Sequence, residues 1–180
     1  MRAFASLPAI LITLAACATA NGPVPAGTET VRVSGAGGAM TAEIHPSDAL
    51  RGGDVAVPID RAWAVVRAVY DSLHLPVASI DPASHTIESP MLRVRRRLGD
   101  TPLSKYLNCG DTQGGQSADS YEIQLLVRTT LRTHRDTTSI LTNVSAEGRP
   151  ITLSGDYTRC ISTGNLENRV LVLTTRLAVR

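Results

Sequence analysis

Two stretches in the second half of the chain leave the least freedom to the fold. Tyr121, Ile123, Leu125, Val127 and Thr129 alternate with Glu122, Gln124, Leu126 and Arg128, and Ile140, Thr142, Val144 and Ala146 alternate in the same way. A period of two sends one set of side chains to each face, so both stretches read as strands with one buried face. The polar run Thr133-His134-Arg135-Asp136-Thr137 between them reads as a hairpin turn. These are the expected central antiparallel strands.

A second pattern supplies a cover for that face. Ala62, Trp63, Val66, Val69, Tyr70 and Leu73 recur at helical spacing, while Arg61, Arg67 and Asp71 lie off the stripe. Asp60 is expected as the N-cap, and Pro76 should end the helix near Leu75. Trp63 has two readings, a core residue or a ring that stacks on a ligand. Ala62, Ala64 and Ala68 around it leave room for a cavity. The aromatic supply is thin, one Trp, one Phe and four Tyr, so the core must rest on Val, Leu, Ile and Ala.

Shorter elements fill the order. Val31–Ala36 starts a strand, Gly35-Ala36-Gly37-Gly38 breaks it and Thr41–Ile44 returns. That glycine run lacks the spacing of a nucleotide-binding loop and reads as a hairpin or loop. Pro76–Ile80 reads as a strand, Asp81–Ser84 as a turn, His85–Ser89 as the returning strand and Met91–Leu98 as its extension. Arg93, Arg95, Arg96 and Arg97 form a basic cluster in that extension, with Arg93, Arg95 and Arg97 expected on one face. It reads either as a contact for an anionic or protein partner or as a solvated edge strand that resists aggregation. Thr101–Leu107 suggests a short helix capped by Thr101 with Pro102 at its first position, followed by a loop over 110–119. Residues 147–159 read as irregular. Leu166, Val170, Leu173 and Leu177 suggest a closing helix, capped by Ser162 or Thr163, although its Val and Thr content weakens the pattern. The fold class expected is α+β: one domain, a twisted antiparallel sheet on a long helix, with a C-terminal helix.

The N-terminus reads as an address. Arg2 is followed by an apolar run over 3–16 that ends in Leu14-Ala15-Ala16-Cys17. The run is too short to stay as a membrane span. Leu14-Ala15-Ala16-Cys17 resembles the lipobox of bacterial lipoproteins, which implies cleavage before Cys17 and lipid attachment to it. A plain secretory signal is the alternative, and it would leave Cys17 as an odd thiol. The division expected is a signal over 1–16, a lipidated tether over 17–30 and the domain over 31–180. Several acyl chains on one cysteine hold a protein stably at a membrane. Ala18 stands where lipoproteins kept in the inner membrane commonly carry Asp, which by the same resemblance implies the outer membrane, facing the periplasm.

Three cysteines then divide into Cys17 and a pair, Cys109 and Cys160. An exported compartment is oxidising, so the pair is expected as a disulfide, with separate thiols or metal binding as the alternative. Neither has a nearby His or second Cys at zinc spacing.

Val57-Pro58-Ile59-Asp60-Arg61-Ala62-Trp63, leading into Leu75-Pro76-Val77, Ile80-Asp81 and Thr86-Ile87, resembles the BamC family of outer-membrane assembly lipoproteins. The resemblance implies a helix-grip domain, in which a sheet wraps a long helix, and a partner in the envelope.

Catalysis is not expected. His45, His74, His85 and His134 share no motif spacing, and His74 with His85 lacks a clear third metal ligand. Ser162 near Gly164 lacks a hydrolase elbow. A net charge of +2 gives no footprint for nucleic acid. No cofactor is expected. The function expected is therefore non-enzymatic, structural or protein-interacting, with a helix-grip module for an apolar molecule or lipid as the alternative.

Overall fold

The computed structural model describes residues 29–35, 38–44, 50–112, 115–151 and 156–180, the strands over 29–44 by backbone alone. The expected signal over 1–16, Cys17 and most of the expected tether lie outside the described residues. Strands β1 (Glu29–Gly35) and β2 (Gly38–Ile44) pair antiparallel with Gly35 opposite Gly38. The expected hairpin is present, starting two residues earlier and returning three residues earlier than the pattern suggested.

Next come β3 (Arg51–Val55) and helix α1 (Ile59–Ser72). The N-cap of α1 is Pro58, not Asp60, and no side chain caps it. Proline suits a helix start because its fixed φ is helix-compatible and its missing N–H would be unpaired there anyway. Its carbonyl accepts from the N–H groups of Arg61 and Ala62, and Asp60 lies inside the first turn, where its charge favours the helix dipole. The helix ends at Leu73; His74 then takes φ 59°, and the Leu75 N–H donates to the Tyr70 carbonyl. The chain is thus already turning before Pro76.

Strands β4 (Ser79–Asp81) and β5 (Thr86–Glu88) flank a turn in which Asp81 accepts from the Ala83 N–H and the Ser84 hydroxyl. β4 is shorter than the expected strand. β6 (Leu92–Arg95) follows, and Arg96 at φ 63° separates it from β7 (Arg97–Leu98), which pairs with β8 (Thr101–Pro102). A left-handed residue ends strand alternation, so the expected single face of Arg93, Arg95 and Arg97 does not continue past Arg95. The expected helix over 101–107 is one 3₁₀ turn, Leu103–Lys105, after Pro102. Its inward residues were legible nonetheless: Leu103, Tyr106 and Leu107 are buried.

β9 (Leu107–Asn108), β10 (Asp111–Thr112) and β11 (Gly115–Gln116) lead to a 3₁₀ turn, Ser117–Asp119. The stretch expected as a loop over 110–119 therefore carries two short strands and a 3₁₀ turn among its described residues. Ala118 is buried, and Asp119 accepts from the backbone N–H (2.9 Å) and hydroxyl (2.6 Å) of Ser104.

β12 (Tyr121–His134) and β13 (Thr137–Pro150) are the long central hairpin. β13 extends into the stretch expected to be irregular, and β14 (Thr158–Ser162) pairs with it there, Cys160 opposite Ala146. Helix α2 (Asn165–Ala178) closes the chain.

The main sheet is open and wholly antiparallel, in the order β4-β5-β12-β13-β14-β9. β6 lies on β12 beyond β5, and β3 lies on β13 beyond β14. Pro90 interrupts the run between β5 and β6. Ser89 bridges the gap, its N–H donating to the Val127 carbonyl and its Oγ accepting from the Val127 N–H.

Both helices pack on one face of this sheet and on each other. Ile87, Ile123, Leu125, Val127, Leu131, Ile140 and Val144 meet Ala62, Val66, Val69 and Tyr70 from α1, with Leu166 and Val170 from α2. At the centre the Tyr70 hydroxyl donates to Thr129 Oγ1 (3.0 Å), which also bonds Thr142 Oγ1 (3.0 Å). This is the α+β class expected, a single domain of antiparallel sheet and two helices. Among the described residues no helix is long and apolar enough to cross a membrane.

The stripe of α2 runs along Leu166, Val170, Thr174 and Ala178, with Leu173 and Leu177 only partly buried beside it. Thr174 tolerates burial because its hydroxyl donates to the Val170 carbonyl (2.8 Å). The expected Ser162 or Thr163 cap is replaced by Gly164 at φ 87°.

Candidate functional site

The candidate site is the sheet face opposite the helices, where register converts scattered charges into rows. Glu122 stands between Arg95 of β6 and Arg149 of β13. One step along, Arg93, Gln124, Glu147 and Arg159 occupy consecutive strands.

Glu122 is only 7% exposed, and its carboxylate is fully engaged. Arg95 binds Oε2, while Arg149 Nη2 (3.0 Å) and the Tyr157 hydroxyl (3.1 Å) donate to Oε1. Arg149 also lies over the Tyr157 ring, 4.8 Å from its centroid. Two guanidiniums on one carboxylate hold its pKa at about 2, with the Arg95 hydrogen bond as the largest cause, then that of Arg149. A second pair, Arg128 with Glu88, lies further along the same face.

The four expected arginines therefore separate. Arg93 and Arg95 sit on this face and are exposed. Arg96 is exposed in the left-handed break, and Arg97 donates to the Asp100 carbonyl (2.9 Å). Arg149 and Arg159, far away in sequence, join Arg93 and Arg95 instead. Only strand register brings them together, and Tyr157 came from a stretch with no periodic signal.

Cys109 and Cys160 form a disulfide, with Cα atoms 4.2 Å apart and Cys160 buried. It ties the segment after β9 to β14. Gly148 beside it has no room for a side chain: a Cβ would stand 2.6 Å from Ile123 Cδ1 and 3.2 Å from the Cys160 sulfur.

His45 lies outside the described residues, and the other three histidines are dispersed. His74 lies against Gly99, His85 meets Trp63 edge-to-face (5.4 Å between centroids) and His134 Nδ1 is 3.1 Å from Asp54 Oδ2. His74 and His85 thus have separate partners. Among the described residues no group of three His, Cys, Asp or Glu is placed to hold a metal ion. Trp63 is half-buried and packs against the core, in keeping with its core reading.

The fold and this face define an α+β domain stapled by one disulfide, with an arginine-bearing sheet surface. No protein-family model matches the chain, and no curated protein matches it either.

Proposed function

We propose that this is a lipid-anchored protein of the bacterial cell envelope, attached through Cys17 and facing the periplasm from the outer membrane, with a non-enzymatic role in binding an envelope protein. The observation that carries the reading is the Cys109–Cys160 disulfide. It suits an oxidising, exported compartment and leaves Cys17, within Leu14-Ala15-Ala16-Cys17, as the third cysteine. Lipidation gives that residue a use.

The partner proposed is an acidic protein surface. Arg95 and Arg149 share the single carboxylate of Glu122, and Arg93 stands exposed on the same face one step along, which leaves a local surplus of positive charge. The Arg95 and Arg149 side chains stay 59% and 43% exposed while paired with Glu122. An apolar ligand between sheet and helix is the less favoured reading. Ala64 and Ala68, which would have made room for it, are exposed, and Val66, Val69 and Tyr70 fill the interface.

The test is site-specific crosslinking from this face in intact envelopes, comparing wild type with Arg93→Glu. A defined adduct that falls several-fold in Arg93→Glu and returns with Arg93→Lys is expected. An equal adduct in all three would overturn the assignment of this surface.

A further inference from the structure

The outer edge of β3 is open, and backbone alternation fixes which groups it presents. The β12–β13 hairpin closes on His134 and Thr137 with two residues between, so that pair exchanges both backbone bonds and every second pair follows. Odd-numbered residues of β13 therefore bond β12, and even-numbered ones bond β3: Thr138 with Val55, Ile140 with Gly53 and Thr142 with Arg51. Gly52 and Asp54 are left with N–H and C=O groups directed away from β13. Among the described residues no strand pairs with them on that side.

Odd-numbered residues of β3 face the helices. Val55 is buried, and a Cβ on Gly53 would stand 3.0 Å from Leu171 Cδ2 of α2. Beside this edge lies an apolar groove of about 430 Å³, lined by Val55, Ala56, Leu171 and Val172 among others, and Val172 is 44% exposed. An open edge beside apolar side chains is a template for another strand.

The β1–β2 hairpin carries a matching edge. It closes on Gly35 and Gly38, again with two residues between, so β1 bonds the even-numbered residues of β2. Ala39, Thr41 and Glu43 then direct their backbone groups outward. By register Val31, Val33, Met40, Ala42 and Ile44 share one face, with Glu29 at its open end, and Arg32, Thr41 and Glu43 lie on the other. A two-stranded hairpin is marginal alone, and one with an apolar face needs a surface to cover it. Residues 45–50 join β2 to β3, six residues with a reach of about 20 Å.

We propose that β2 adds antiparallel to the outer edge of β3, so that the hairpin becomes the next two strands of the main sheet and its apolar face covers the groove beside α2. Parity decides the face. Bonding odd-numbered β2 residues to Gly52 and Asp54 sets even-numbered β2 residues opposite Gly53 and Val55, on the helix side. Met40, Ala42 and Ile44 thus arrive on the side of Leu171 and Val172, while Arg32, Thr41 and Glu43 stay on the side of Asp54. The bonding pattern and the apolar pattern are independent, and they agree. Sequential strands also tend to be neighbours. The chain before Glu29 would then leave at the opposite edge of the sheet from β6, the strand of Arg93 and Arg95. The pairing requires neither the lipid anchor nor the arginine-bearing face.

Amide hydrogen exchange of the isotope-labelled full chain in detergent, read residue by residue by NMR, tests this. The Gly52 and Asp54 amides are expected to be protected at least about 100-fold over unstructured rates. The double variant Val33→Asp/Met40→Asp places two charges on a cross-strand pair of the apolar face, and that protection should fall about tenfold or more. Gly53 and Val55, bonded to β13, should keep theirs, which reports that the domain remains folded. Nuclear Overhauser contacts between the β2 and β3 backbones are expected in wild type, so the test holds even if the variant fails to fold. Fast exchange at Gly52 and Asp54 in wild type, absence of those contacts, or protection unchanged in the folded double variant would each overturn the proposal. Protection that falls on dilution would also overturn it, by assigning the edge to a second copy.

Discussion

Glu122 gives the residue scale its clearest consequence. Its folded pKa is about 2 against an ordinary 4.5, because Arg95 and Arg149 favour the charged form. A carboxylate depressed on folding adds stability that is fully present above pH 4.5 and is lost as pH falls through about 2. Acid titration of unfolding should therefore show a loss of stability over that window, reduced in Glu122→Gln. Equal acid sensitivity in both proteins would contradict the network. Tyr70 has the opposite sign: burial pushes its phenol well above the usual 10, so as pH rises past 10 the unfolded chain loses its proton first and stability falls. Tyr70→Phe should remove that alkaline slope. It should also cost about 1 kcal/mol near neutrality, since Thr129 and Thr142 keep each other as partners; equilibrium denaturation measures both. Neither network was legible beforehand. One depends on how α1 packs on the sheet, Tyr70 on Thr129, and the other on strand register, Glu122 with Arg149, and periodicity carries neither.

At the scale of elements, what could be read in advance was what repeats locally. The alternation of β12 and β13 and the apolar stripe of α1 emerged as expected, because two-fold and 3.6-fold periods are written within each element. The ends were less legible. Asp60 yielded the cap to Pro58, Arg96 broke an apparently continuous strand, and the stripe of α2 ran through Thr174 rather than Leu173 because a threonine can satisfy its own hydroxyl. The stretch over 147–159 looked irregular because β13 and β14 pair there through Glu147–Arg159 and Gly148–Thr158, with little apolar signal. The junction of β9, β14 and α2 is also where the disulfide acts. Thr163 donates its N–H to the Tyr106 carbonyl, and Arg169 reaches Thr101 (2.9 Å) and Tyr106, so the Cys109–Cys160 staple closes a region already cross-tied by polar contacts. Its span of 51 residues gives a loop-closure contribution on the order of 4 kcal/mol in the chain-entropy model. The double variant Cys109→Ser/Cys160→Ser should lose most of that in chemical denaturation, and a loss within error of zero would contradict the staple's role.

At the scale of the whole molecule, the helices occupy one face of the sheet and the charged rows the other, where Gln124, Leu126 and Asn143 are buried and Arg93, Arg95 and Arg159 are exposed. The lipid anchor proposed at Cys17 would hold the domain at a membrane surface, and the disulfide fits the same side of that membrane. The compartment reading thus joins an N-terminal motif to a cross-link more than ninety residues further along the chain. Its most direct test is metabolic labelling with a radiolabelled or alkyne-tagged fatty acid in a bacterial host, comparing wild type with Cys17→Ser. The account predicts that wild type takes up label and partitions with membranes, while Cys17→Ser takes up none and leaves the membrane fraction. Unlabelled wild type, or equal labelling of Cys17→Ser, would contradict it.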